Sequence, residues 1–136
     1  MDRATIEFNF SRAKDLASRV VAVAEKTKNV GEKSLKDAMQ KVSVSWKGEN
    51  SQKYISKCEI VSGKLVRIAG CLGSVAGAIS EAAQNIYEAE KEALRIEEER
   101  AYQARLAAEE AERKAREEAA KANKNKPGGG GGGHGR

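Results

Sequence analysis

The stretch "VSVSWKGENSQKY", residues 42–54, contains the single tryptophan of the chain and, two positions later, a glycine. Long amphipathic patterns lie on both sides of it. Glycine adopts backbone angles that other residues resist, so Gly48 suits a reversal of the chain. The large ring of Trp46 can close the end of two packed helices, and Asn50 or Ser51 can cap the second helix. The stretch therefore predicts a turn over residues 44–49 that joins two antiparallel helices into a hairpin.

The segment after this turn carries an unbroken heptad pattern. From Tyr54 to Ile96 apolar residues alternate at spacings of four and three, which predicts one helix, beginning at about residue 50, with one continuous packing seam. We expect the residues of this seam to make the contacts for both helix packing and dimer formation. Its main members are Tyr54, Cys58, Val61, Leu65, Ile68, Leu72, Val75, Ile79, Ile86 and Ile96.

The segment before the turn divides into two parts. "TIEFNF" alternates apolar and polar residues, so residues 1–10 are predicted to be extended, with Asn9 or Ser11 as the cap of the following helix. Apolar residues then recur at threes and fours from Ala13 to Val30, and the pattern slips at Gly31 before it resumes from Leu35 to Val42. This predicts helix 1 over residues 11–43. Gly31 lies inside this helix and weakens it.

The predicted seam is longer than the predicted partner helix. Helix 1 would be roughly 50 Å long and would cover helix 2 only to about residue 83. Either the extended N-terminal segment folds back over the uncovered seam, or a second hairpin covers it. We favour a second hairpin, from the same or a related chain, which gives a four-helix bundle.

A line of glycines lies on the face of helix 2 opposite the seam. Small residues on a helix face permit the backbone of another element to approach closely. A second packing face is one interpretation, and a glycine-loosened stretch without a partner is the other. The glycines concerned are Gly63, Gly70, Gly73 and Gly77.

The last forty residues differ in composition from the rest. Residues 97–122 are rich in Ala, Glu, Lys and Arg and predict a solvated helical extension with i to i+4 charge pairs. Residues 123–136 contain "NKNKP" and six consecutive glycines, which predict a disordered tail. The expected fold is therefore an all-α hairpin of residues 11–96, followed by a charged helical extension and a glycine-rich tail.

No set of residues in the sequence assembles a catalytic or metal site. The single histidine, His134, lies in the glycine tail. Cys58 and Cys71 would lie about 20 Å apart on one helix, too far for a disulfide, and two cysteines do not supply the four ligands of a zinc site. We therefore expect a protein that is not an enzyme and binds no cofactor.

The N-terminus lacks the apolar stretch of a Sec-type signal peptide. The longest uncharged run, Ile68 to Ser80, has thirteen residues, whereas a membrane span needs about twenty. These features predict no transmembrane segment, so any export must use another route.

The order of a helix, "SWKG" and a second helix opening with "ENSQKY" resembles the WXG-motif proteins, over residues 1 to about 96. These are small helical hairpins exported by bacterial type VII (Esx-like) secretion systems. The resemblance implies a bacterial protein that is cytoplasmic before export and secreted or surface-bound afterwards. It also implies homodimers, or heterodimers with a related hairpin or a larger effector, and a secretion ATPase as transient partner.

The export signal of this family is a tyrosine followed four residues later by an acidic residue, near the end of the second helix. Here Tyr87 is followed at that spacing by Lys91, whereas Ile86 and Glu90 are similar to a looser form of the signal. Spacing of four places both on one helix face. Ile86, Tyr87 and Glu90 are thus the candidate export surface, and the alternative is that they are ordinary surface residues.

The charge distribution leaves two further functions open. The net charge is +5, and Lys and Arg outnumber Asp and Glu in the first eighty residues and again in the last fourteen. Lysines and arginines could bind nucleic acid or an anionic membrane, although the aromatic interleaving of nucleic-acid sites is absent. A structural rod that docks other proteins is the other alternative. The candidate basic residues are Lys47, Lys53, Lys57, Lys64 and Arg67.

Overall fold

The computed structural model describes residues 1–126 and residue 128. Helix α1 spans Arg3–Asn29 and continues through a π-helical turn, Val30–Ser34, into α2, Leu35–Ser45; α3 spans Glu49–Lys124. The described residues contain no strand, which confirms the all-α prediction. The finer prediction, a plain two-helix hairpin of residues 11–96, is not shown in that form, because a π-helical turn interrupts the first helical segment and α3 is 76 residues long.

The N-terminal residues are helical, so the prediction of an extended segment over residues 1–10 was wrong. Asp2 caps α1: its Oδ1 accepts a hydrogen bond from the Thr5 N–H at 2.7 Å. Hydrogen bonding from the Thr5 side chain, and then from the Thr5 N–H, lowers the pKa of the Asp2 carboxyl. Ile6, only 1% exposed, anchors the first turns. Ile6 and Phe10 are four residues apart, and that spacing also fits one face of a helix.

The π-helical turn explains why the apolar pattern slips near Gly31. A π-helical turn inserts one extra residue into a helix, so residues after it rotate onto a different face. Gly31 is buried there, and its carbonyl accepts a hydrogen bond from the Ser62 hydroxyl. A Cβ added to Gly31 would lie 3.1 Å from both Leu65 Cβ and the Ser62 carbonyl oxygen. The two helical segments therefore approach each other closely at a position where the first has no side chain.

The break between α2 and α3 contains Trp46, Lys47 and Gly48. Gly48 has a φ of 123°, a conformation that favours glycine. The Ser51 hydroxyl donates a hydrogen bond to the Gly48 carbonyl at 2.8 Å and ties the break to the first turn of α3. The Trp46 ring lies 6.2 Å from the Tyr54 ring, centroid to centroid, and is 46% exposed. Trp46 thus packs against α3 at the break without being buried.

We expect Gly48→Ala to lower the free energy of unfolding by about 1–3 kcal/mol, because a side chain is strained at positive φ. Urea unfolding followed by circular dichroism measures the change. Lys47→Ala, in the same break, is the control and should stay within about 0.5 kcal/mol of the wild type. An unchanged midpoint for Gly48→Ala would contradict the backbone conformation of the break.

Contacts between α1 and α3 occur in reverse order along the chain, so the two helices run antiparallel. The Ser62 hydroxyl bonds to the Gly31 carbonyl, and Lys14 Nζ donates to Ser80 Oγ at 2.7 Å. Further along, the Phe10 ring stacks on the Tyr87 ring. All these contacts belong to the compact unit that spans Met1–Glu92.

Small residues fill the contact between the two helices, and they are not the predicted seam residues. They recur at intervals of seven on each helix: Ala17, Ala24 and Gly31 before the break, and Ser62, Ala69, Ala76 and Ala83 on α3. Their small size lets the two backbones approach closely. The larger seam residues are consequently pushed to the side of the contact. Cys58, Leu65, Leu72 and Ile79 are half-buried, whereas Tyr54, Val61, Ile68, Val75, Ile86 and Ile96 are exposed.

The second compact unit begins at Ala93. Its described part is helical to Lys124, two residues beyond the predicted limit of the charged extension. Glu110 pairs with Lys114 at 3.1 Å, and Arg113 with Glu117 at 4.0 Å, both at i to i+4 spacing. Exposed pairs of this kind stabilise a helix by about 0.3–0.5 kcal/mol each. Most of the predicted tail, including His134, lies outside the described residues.

Candidate interaction surfaces

The described residues offer surfaces for binding but no assembled metal site. Residues 1–126 contain no group of three or more His, Cys, Asp or Glu that could hold a metal ion. Cys58 is half-buried, Cys71 is exposed, and both are free thiols. The candidate functional residues of the unit Met1–Glu92 lie on its exposed surfaces.

Two lines of large apolar side chains are exposed, one on each helix. Each line repeats every seven residues, and most of its members lie one position before a buried small residue, as Val23 precedes Ala24 and Ile68 precedes Ala69. On each helix, the exposed line is thus rotated by the same angle away from the residues that contact the other helix. In an antiparallel pair, equivalent positions lie on the same side of the contact. The two lines form one surface, the apolar face: Leu16, Val23, Val30, Tyr54, Val61, Ile68 and Val75.

The apolar face is broad and continuous with the helix contact. Val23, Ile68 and Val75 are each about half exposed, at 53, 49 and 50%. Leu65, Leu72 and Ile79 are half-buried and lie between the exposed line of α3 and its buried small residues. Contiguous apolar surface of this kind marks interaction sites in soluble proteins.

The glycine line lies on the other side of the helix contact. Gly63, Gly70 and Gly77 each follow a buried small residue by one position, so they are rotated away from the apolar face. A Cβ added to any of the three, or to Gly73, would meet no atom within 4 Å. An open groove of about 370 Å³ runs along this side, lined by Val21, Ala24, Glu25, Lys28, Val66, Ala69, Gly70 and Gly73. This side has open space but few exposed large apolar side chains.

Tyr87 contacts the N-terminal turns of α1. Its hydroxyl donates a hydrogen bond to Glu7 Oε1 at 2.7 Å. Its ring stacks on the Phe10 ring, with centroids 4.2 Å apart and planes 24° apart. Lys91 Nζ lies 5.0 Å from the centroid of the Tyr87 ring, a distance at which an ammonium is attracted to the π-system. Tyr87 is therefore held from two sides and is not a free surface side chain.

The three candidate export residues surround one cavity of about 200 Å³. The helix α1 provides one wall and α3 the other. Ile86 is exposed, whereas Tyr87 and Glu90 are half-buried. The complete lining is Asn9, Phe10, Ala13, Ala83, Ile86, Tyr87 and Glu90. The structure thus brings Ile86, Tyr87 and Glu90 together, and adds residues of α1 that the sequence reasoning missed.

The candidate basic residues lie in the break and in the first part of α3. Lys47, Lys53, Lys57, Lys64 and Arg67 are all exposed. Lys53 Nζ lies 3.5 Å from Glu49 Oε1 on the same helix, an exposed pair that contributes little. The cavities at Gln40, at Tyr87 and at Ala69 are lined by other residues.

The absence of a transmembrane segment stays a prediction. By length and composition alone, α3 contains an 18-residue window apolar enough to cross a membrane, a test that the core helix of a soluble protein also passes. The uncharged run of thirteen residues lies in this helix.

Comparison of the chain with protein-family models, with curated proteins and with solved structures gives no match.

Proposed function

We propose that residues 1–92 are a non-enzymatic helical hairpin that pairs with a second hairpin and serves a bacterial type VII secretion system. In this role the chain is exported itself, or guides a larger effector as a co-secretion partner. The observation that carries the proposal is the apolar face, to which both helices contribute lines of exposed large side chains on the same side.

Pairing through the apolar face gives the four-helix bundle that the length of the seam predicts. A second hairpin presents its own two lines of side chains, so four helices enclose one core. The second copy can be identical or related, because the Tyr54 hydroxyl is the one polar side-chain group among the residues that define the face. The glycine side of α3 stays open in this arrangement.

The turn and the far end of the hairpin supply the other features of the proposed role. Trp46 and Gly48 lie at the break between α2 and α3, where the resemblance to WXG-motif proteins expects them. Ile86, Tyr87 and Glu90 lie at the opposite end, around one cavity. We assign this end to transient contact with the secretion ATPase. In this role the protein acts without a cofactor. It is cytoplasmic before export and lies outside the cell afterwards.

A secretion assay tests the proposed function. The epitope-tagged chain is expressed in a bacterium that has a type VII system, in the parent strain and in a strain lacking the secretion ATPase. We expect the chain in the medium of the parent only, with a cytoplasmic marker protein retained in both strains. Equal release from both strains would contradict the proposal. So would retention of the chain by a parent strain that still exports its own hairpin substrates.

A further inference from the structure

The cavity beside Tyr87 has a lining that a single helix cannot supply. Asn9, Phe10 and Ala13 come from α1, and the remaining residues from α3. The contacts of Tyr87 explain why: one ring face is taken by Phe10, and the hydroxyl is bonded to Glu7. A protein that enters the cavity beside Tyr87 therefore meets Phe10 of α1 as well.

The α1 residues at this cavity are firmly held in place. Ile6 is the largest fully buried side chain of the described residues. Asp2 caps the first turn through Thr5, and Lys14 bonds across to Ser80. These contacts flank Glu7 and Phe10 on both sides along α1. The first turns of α1 are therefore part of the surface that a partner meets.

The chemistry of the lining indicates what the cavity accepts. Phe10, Ala13 and Ile86 provide apolar walls. A volume of about 200 Å³ corresponds to roughly six or seven water volumes, which is enough for one aliphatic side chain. Glu90 lies at the same cavity, half-buried, and no hydrogen bond or ion pair to it occurs within residues 1–126. An unpaired carboxylate beside an apolar cavity favours a cationic neighbour.

We infer that the export surface is a two-helix site, in which Glu7 and Phe10 of α1 act together with Ile86, Tyr87 and Glu90 of α3. The site accepts an aliphatic side chain of the partner protein in the cavity and pairs a lysine or arginine of that partner with Glu90. The inference rests on the proposed function, because the partner is the protein that reads the export surface. The site exists only when α1 lies against α3, so it distinguishes the folded chain from an unfolded one.

Binding of the full-length chain to the purified ATPase of the type VII system tests this inference. The chain offers a matched pair for α1: Phe10 lines the cavity, whereas Phe8 is 58% exposed and lies near Arg12. We expect Phe10→Ala to weaken binding at least tenfold and Phe8→Ala to change it less than twofold. Glu7→Ala should also weaken binding. Glu7→Gln keeps an oxygen that accepts the hydrogen bond from the Tyr87 hydroxyl, so it should bind like the wild type.

A second matched pair tests the role of Glu90. Glu88 accepts a hydrogen bond from Gln84 on the same helix and does not line the cavity. We expect Glu90→Gln to weaken binding about tenfold at low salt, and Glu88→Gln to leave it within twofold. Circular dichroism melting curves and the oligomeric state are recorded for every variant, so that a loss of folding is recognised.

The possible outcomes separate this inference from the proposed function. If the wild-type chain does not bind the ATPase, the proposed function and this inference both fail. If Tyr87→Ala and Ile86→Ala abolish binding while a folded Phe10→Ala chain binds like the wild type, only the two-helix site is overturned. If Phe10→Ala weakens dimer formation and leaves ATPase binding unchanged, the cavity belongs to the contact between two copies, and the inference is again overturned.

Discussion

The double substitution Ile68→Glu with Val75→Glu should separate the proposed pair of chains into monomers, with a rise of at least a hundredfold in the dissociation constant. Both side chains lie on the apolar face and are half exposed in the single chain, so the substitutions cost little in the monomer. In a four-helix bundle each glutamate would be buried without a partner, and burying an unpaired charge costs several kcal/mol. Light scattering coupled to gel filtration measures the mass directly.

The glycine line supplies the control for this experiment. Gly70→Glu with Gly77→Glu adds the same two charges to the same helix, two residues further along, where an added Cβ meets open space. We expect this variant to remain a dimer. If it becomes a monomer while Ile68→Glu with Val75→Glu does not, the glycine line is the interface and the apolar face is not. A wild-type chain that is monomeric at high concentration would contradict pairing altogether.

The heptad periodicity predicted the helix well but not the face that it buries. From Tyr54 to Ile96 the pattern correctly indicates one continuous helix. It also led to the expectation that the large apolar residues make the contact within the hairpin. The contact instead uses Ser62, Ala69 and Ala76, each one position after a seam residue. A second heptad of small residues was present in the sequence, but hydrophobic size alone gives it little weight, because close packing of backbones depends on the absence of bulk.

The candidate site shows a different limit of sequence reasoning. Ile86, Tyr87 and Glu90 were predicted from the resemblance to the export signal of WXG-motif proteins, and these residues do share a cavity. Glu7 and Phe10 lie nearly eighty residues earlier, in a segment whose alternation predicted an extended conformation. No local pattern links them to Tyr87. Only the antiparallel register, fixed by contacts such as Lys14 to Ser80, brings the two segments together.

The substitution Gly31→Leu should lower the free energy of unfolding by about 2–4 kcal/mol. A Cβ at Gly31 would lie 3.1 Å from Leu65 Cβ and from the Ser62 carbonyl oxygen, which are backbone or close to it and cannot rotate away. The larger side chain would force the helices apart, and overpacking of this kind costs about 1–3 kcal/mol. It would also separate the Ser62 hydroxyl from the Gly31 carbonyl, which removes a hydrogen bond worth about 1 kcal/mol.

Gly63→Leu is the matched control, and it should change stability in the opposite direction. Gly63 is also helical, but an added Cβ there meets no atom within 4 Å, so the gain in helix propensity, up to about 1 kcal/mol, is not offset by a clash. Urea unfolding of both variants at one fixed protomer concentration keeps the contribution of pairing constant. Because the two glycines differ in packing and not in residue type, opposite signs would identify close approach of the helices at Gly31 as the cause. Equal stabilisation by both substitutions would contradict the small-residue contact between α1 and α3.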